Sequence, residues 1–145
     1  MEIRLFAYGT LLVPEVMEIV TGRGFASEPA RLADHRCRLL RGAVYPGVLP
    51  VRGETTQGRV HHGLDARALE RTDRFEGALY ERRALEVTLA RGTGCEAFVY
   101  VLRSEHRALA TDARFDRAAF REHHLRDYLA ACRAFVRELS DEAAG

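Results

Sequence analysis

The sequence predicts an α+β fold. Several short segments alternate apolar and polar residues with a period of two, while the C-terminal third repeats apolar residues every three or four positions. Strand and helix segments mix without a strict βαβ alternation, which argues against a doubly wound parallel sheet. At 145 residues the chain reads as one domain over residues 1–145. A chain of that size buries roughly 68–70% of the surface its unfolded form exposes, so it needs no staples to fold.

Residues 2–8 put Ile3, Leu5 and Ala7 on one face and Arg4, Phe6 and Tyr8 on the other, a strand that Gly9 ends. Thr10 can cap the next element, and Pro14 opens a short helix over residues 14–20, since proline is tolerated in a first turn. The Gly22-Arg23-Gly24 turn stops it. Residues 30–32 and 37–44 read as two short strands or one irregular strand. Tyr45-Pro46-Gly47-Val48 reads as a turn, with proline presetting φ and glycine accepting a positive one. A strand over residues 56–64 comes next, with Gly58 marking a bulge or a close approach.

Asp65 is a good N-cap for a helix from residue 66 to about residue 74 that ends near Gly77. Leu85, Val87 and Leu89 alternate, as do Ala97, Val99 and Val101, and the Arg91-Gly92-Thr93-Gly94 link makes the pair a hairpin. Asp116 caps a final helix, with Phe115 and Phe120 spaced for a hydrophobic staple. Leu125, Tyr128, Leu129, Cys132, Phe135, Val136 and Leu139 line one apolar face of it. Residues 140–145 are expected to fray.

Hydrophobic residues at 47% and charged residues at 30% are an ordinary globular balance, against disorder. Twenty-two basic residues face 21 acidic ones, a net charge of +1 with no basic stripe, so no nucleic-acid partner is expected. Every one of those basic residues is Arg, which reads as a coding bias because Arg stands even at solvated helix positions. No apolar run approaches the ~18 residues of a membrane span, so no membrane partner is expected either. Residues 1–7 are short, alternating and charged at Glu2 and Arg4, unlike a secretory leader. The odd, scattered cysteines Cys37, Cys95 and Cys132 then read as reduced, packed thiols of a cytoplasmic protein. Oligomeric state does not follow from the sequence.

Two segments could carry chemistry. In Tyr8-Gly9-Thr10-Leu11 a strand runs into a helix start, where unpaired amides point outward and favour negative charge, and Gly9 admits a ligand to the backbone. Taken alone, such a link more often serves only as a connection. In Asp73-Arg74-Phe75-Glu76-Gly77, Glu76 stands at a helix end that repels a carboxylate. Phe75, Leu79 and Tyr80 are placed to desolvate it and raise its pKa toward the range useful in proton transfer. An acidic residue at a helix end is otherwise usually just solvated, and Asp73 reads as structural or capping.

The six histidines do not make a metal site. His61 and His62 are strand neighbours facing opposite ways, and His123 and His124 lack the i, i+4 spacing that chelates. Solvated or capping roles fit them better. Cys37 near His35 lacks a third, orienting group and reads as a structural thiol. No metal or cofactor is expected.

Taken in order, FAYGTLL (6–12), YPGV (45–48), GRVHHGLD (58–65), DRFEGALYERRALEV (73–87) and EAFVYVL (96–102) resemble the γ-glutamylcyclotransferase-like family, AIG2-like branch. The stretch over residues 120–139 resembles the C-terminal helix of AIG2-like proteins, so the likeness covers nearly the whole chain. Two features depart from the family pattern: the tail carries no Trp, and Thr72 stands where Leu commonly precedes the D-x-F-E-G segment.

The resemblance implies a small mixed β-barrel flanked by helices, with a long C-terminal helix and a ligand pocket at one mouth of the barrel. It implies that Tyr8, Gly9, Thr10 and Leu11 bind ligand largely through backbone groups, and that Glu76 is the acid/base residue. The Y-x-R pair that shapes the pocket falls on Tyr80 and Arg82, and Tyr100 falls on the pocket wall. The function implied is conversion of a γ-glutamyl amine or γ-glutamyl amino acid to 5-oxoproline and free amine. Removal of a γ-glutamyl protecting group from a biosynthetic intermediate uses the same ring closure. A non-catalytic binding or interaction domain on the same fold stands as the alternative, because fold does not fix function.

Overall fold

The structure, a computed structural model, describes residues 2–144. In chain order it comprises β1 (Ile3–Ala7), a 3-10 turn (Thr10–Leu12), α1 (Pro14–Thr21), β2 (Ser27–Leu39) and β3 (Pro46–Leu64). After these come α2 (Ala66–Glu76), β4 (Tyr80–Leu89), β5 (Gly94–Leu102), α3 (Arg117–His123) and α4 (Leu125–Ala144). The five strands close a barrel in the order β1-β3-β2-β4-β5. Most neighbours are antiparallel, and a parallel pairing of β1 with β5, Leu5 opposite Phe98, completes the ring.

The alternation of β1 decides the layers. Phe6 and Tyr8 turn into the barrel and pack with Leu32, Val60, Val87 and Val99, while Leu5 and Ala7 face α1 and the C-terminal helices. That second layer gathers Val16, Met17 and Val20 from α1, Ala68 from α2, and Phe120 and Cys132 from α3 and α4. Gly58 allows the barrel to close tightly, because a Cβ there would lie 2.2 Å from the Ala7 carbonyl oxygen and 2.7 Å from the Phe6 ring.

The second and third strands differ from expectation. Residues 27–39 form one strand, bent where Asp34 takes a positive φ of 58° and the register with β3 shifts. Tyr45-Pro46-Gly47-Val48 is not the turn. Leu39 pairs with Pro46, so the chain reverses over residues 40–45 with Gly42 at φ 73°, and Pro46 begins β3, where its missing N–H costs no ladder bond. Asp65 caps α2 by accepting from the Ala68 amide, and Asp116 caps α3 by accepting from Ala118 and Ala119, with the Phe115 and Phe120 rings 5.6 Å apart. The final helix breaks at His124, and residues 140–144 continue α4 instead of fraying, tied to α2 by an Arg74–Glu142 ion pair. Residue 145 lies outside the described residues.

Candidate active site

Where α2 runs out against the mouth of the barrel, a cavity of about 140 Å³ opens. Tyr8, Gly9, Thr10, Leu11, Glu76, Tyr80 and Tyr100 all line it, together with Phe75, Tyr45 and Tyr128. Helix α2 delivers Glu76 as its last residue, and Gly77 turns the chain away with φ 72°. Among the described residues, no donor bonds the Glu76 carboxyl and no cation pairs with it. Burial pushes its pKa up to about 8. The carboxyl therefore exchanges its proton in the neutral range, the condition general acid/base chemistry needs.

Part of the remaining wall is hydroxyls held in place. Tyr80 donates to the Pro46 carbonyl at 2.6 Å, and Tyr8 donates to the Tyr100 carbonyl at 2.6 Å. The Tyr100 hydroxyl donates to Asp73 Oδ1 at 2.7 Å and lies 2.7 Å from Thr72 Oγ1, whose single proton serves either that hydroxyl or the Leu69 carbonyl at 2.9 Å. Burial raises the pKa of Tyr8, Tyr80, Tyr100 and Tyr128 away from neutrality, whereas it raises that of Glu76 toward neutrality. Asp73 anchors Tyr100 by accepting its hydroxyl proton.

The loop after β1 behaves differently from a capped helix start. Thr10 caps nothing, and its hydroxyl pairs with Tyr128 of α4 at 3.1 Å. The 3-10 turn closes through Leu12 N–H to Gly9 C=O and Val13 N–H to Thr10 C=O. In such a turn the amides at its start have no partner within it and are free to meet an acceptor. The missing side chain of Gly9 makes room for Pro46: a Cβ would lie 2.7 Å from Pro46 Cγ.

Arg82 is the expected site residue that does not line the cavity. It shares a face of β4 with Tyr80 but lies two residues, roughly 7 Å, further along the strand. There it donates to Asp73 Oδ2 at 2.5 Å and lies 4.6 Å from the centre of the Phe98 ring. Its link to the cavity wall runs through Asp73 to Tyr100.

Two contributors escape a reading of the sequence. Tyr128 is legible there only as one apolar-face residue among several. His61, expected in a solvated or capping role, is 6% exposed, and its Nε2 donates to the Leu11 carbonyl at 3.1 Å. Burial lowers its pKa, and its buried Nδ1 has no partner, so the ring is neutral with the proton on Nε2. His62 turns to the opposite face, 2.7 Å from Glu28. The Cys37 thiol is pushed up to about 12 by burial, which makes it a poor nucleophile. Among the described residues no helix is long and apolar enough to cross a membrane.

Residues 5–122 match the family model described as "Gamma-glutamyl cyclotransferase, AIG2-like". The chain is 24% identical to AIG2-like protein D of Arabidopsis thaliana over 140 residues, 94% of this chain and 90% of that protein. It is 30% identical to AIG2-like protein C of the same plant over 136 residues, 91% of this chain and 77% of that protein. A solved structure named gamma-glutamyl cyclotransferase shares the fold with a TM-score of 0.65 at 15% identity, covering 92% of this chain and 88% of the other.

Proposed function

Because the chain belongs to the gamma-glutamyl cyclotransferase, AIG2-like family, we propose that it converts a γ-glutamyl amine or γ-glutamyl amino acid to 5-oxoproline and free amine. The α-amine of the substrate attacks its own γ-carbonyl. A carbon–nitrogen bond forms to close the five-membered ring, the bond to the departing amine breaks, and one proton moves from the first nitrogen to the second. Ring closure is intramolecular, so holding the substrate folded supplies much of the acceleration. Glu76 carries the proton: it takes it from the attacking amine and returns it to the leaving one. The amides of Gly9, Thr10 and Leu11 hold the substrate α-carboxylate, and Tyr80 and Tyr100 wall the ring. Arg82 supports Tyr100 through Asp73.

The observation that carries this reading is the Glu76 carboxyl: unpaired, facing a cavity otherwise walled by neutral groups, and raised to about 8. A carboxyl whose pKa lies within about one unit of neutrality serves as base and then as acid without an external proton source. The three free thiols suit a reducing, cytoplasmic setting.

The test is to incubate the purified protein with a panel of γ-glutamyl compounds and measure 5-oxoproline. Glu76→Ala is expected to lower the rate at least ~100-fold, the lower bound for a lost general acid/base. Equal rates for the variant and the native protein would remove Glu76 from the mechanism. No turnover across the panel would favour a binding domain on the same fold.

A further inference from the structure

The Glu76 cavity, at about 140 Å³, is small, and the amine half of a substrate seated there must extend beyond it. Two depressions adjoin it. One shares Tyr80 and Tyr100, and there Arg82 and Arg103 stand opposite Asp73 and Glu81, two charges of each sign. The other shares Tyr8, measures about 230 Å³, and holds Arg36, Arg38 and Arg114 against the single carboxylate of Glu54.

That carboxylate is taken up mainly by Arg36, whose Nε donates to it at 2.9 Å. Arg38 spends one nitrogen on the Cys37 carbonyl at 2.8 Å, and its other reaches Glu54 only at 3.8 Å. Among the described residues Arg114 has no hydrogen-bond or ion-pair partner. A second acid, Asp112, acts on Arg36 from outside the lining. Guanidinium donors are therefore left over on Arg38 and Arg114. The two pockets meet at Tyr8, which lines both. The Arg38 side chain is only 17% exposed, so an anion meeting it is screened less than at an open surface.

We infer that this pocket is a subsite for a carboxylate carried by the amine half of the substrate, with Arg38 and Arg114 as the residues that recognise it. The inference rests on the cyclotransferase reading and adds what the protein selects in the departing amine: an amino acid in preference to a neutral amine. A guanidinium fork matches a carboxylate's two oxygens, and the excess of cations penalises an amine half bearing a positive charge.

The test compares γ-glutamylglycine with γ-glutamylglycinamide, which differ in one heavy atom and in charge. The native protein is expected to prefer the carboxylate in kcat/KM by roughly tenfold, the yield of one charge-assisted hydrogen bond after desolvation. In Arg114→Gln the ratio falls, and in Arg38→Gln combined with Arg114→Gln it approaches one. Arg103→Gln, in the neighbouring balanced depression, leaves the ratio in place, and thermal melts check that each variant is folded. A native ratio near one, or an equal fall in Arg103→Gln, overturns the inference while leaving the cyclotransferase reading intact. If neither compound is turned over, the wider panel of γ-glutamyl compounds decides that reading. Calorimetric binding of the same pair then decides the subsite: tighter binding of the carboxylate supports it, and equal affinity overturns it.

Discussion

Glu76 is placed against its own stability. Its pKa in the folded protein is about 8, against an ordinary value of 4.5. Between those values the folded state holds a proton that the unfolded chain releases, so stability falls as pH rises through this window. The penalty is absent below about 4.5 and complete above about 8. Glu76→Gln removes the ionisation, so its melting temperature is expected to match the native protein at pH 4 and to exceed it by at least roughly 5 °C at pH 9. A constant gap across that range, read by calorimetry, would mean that the carboxyl is not desolvated. This residue is legible in the sequence because a carboxylate at a helix C-terminus flanked by aromatics is locally anomalous. Tyr128 and His61 are not, since their partners Thr10 and Leu11 lie 118 and 50 residues away and only the fold joins them.

Among the elements, α2 and β5 meet through hydroxyls where a Leu at position 72 would have met them through methyls. Thr72, fully buried, pairs with Tyr100 and so fixes the end of the helix that carries Glu76. A double-mutant cycle on Tyr100→Phe and Thr72→Val is expected to give a coupling energy of roughly 0.5–3 kcal/mol in denaturant unfolding. Additivity within ~0.3 kcal/mol would show that the two hydroxyls are energetically independent. The departure at position 72 is visible in the sequence, but its compensation by Tyr100 is not. The hairpin of β2 and β3 is the least legible element. Most of the outer half of β2, from Ala33 to Leu39, is exposed or half-buried, so no period of two marks it, and the prolines and glycines inside β3 read as punctuation.

At the scale of the whole molecule, closure of the barrel puts the loop after β1 beside the end of α2. Periodicity alone yields strands without their order, because the parallel pairing of β1 with β5 leaves no local mark, and the barrel comes only from the family resemblance. Gly58 is the point where closure is most exposed to test. Gly58→Ala drives a methyl into the Ala7 backbone, which cannot yield as a side chain would. It is expected to destabilise the protein by at least ~3 kcal/mol, the upper end for overpacking, in urea unfolding. A loss under ~1 kcal/mol would mean that β1 and β3 lie further apart than the barrel geometry requires.

The closed barrel matters because it leaves one carboxyl unpaired in a cavity of neutral groups. A carbon-13 NMR titration of glutamate side-chain carboxyls, with Glu76→Gln used to assign the signal, measures that state without any substrate. The expected result is one carboxyl titrating near pH 8 whose signal disappears in the variant. A Glu76 carboxyl titrating near 4.5, with the solvated glutamates, would contradict a desolvated, unpaired acid at the barrel mouth.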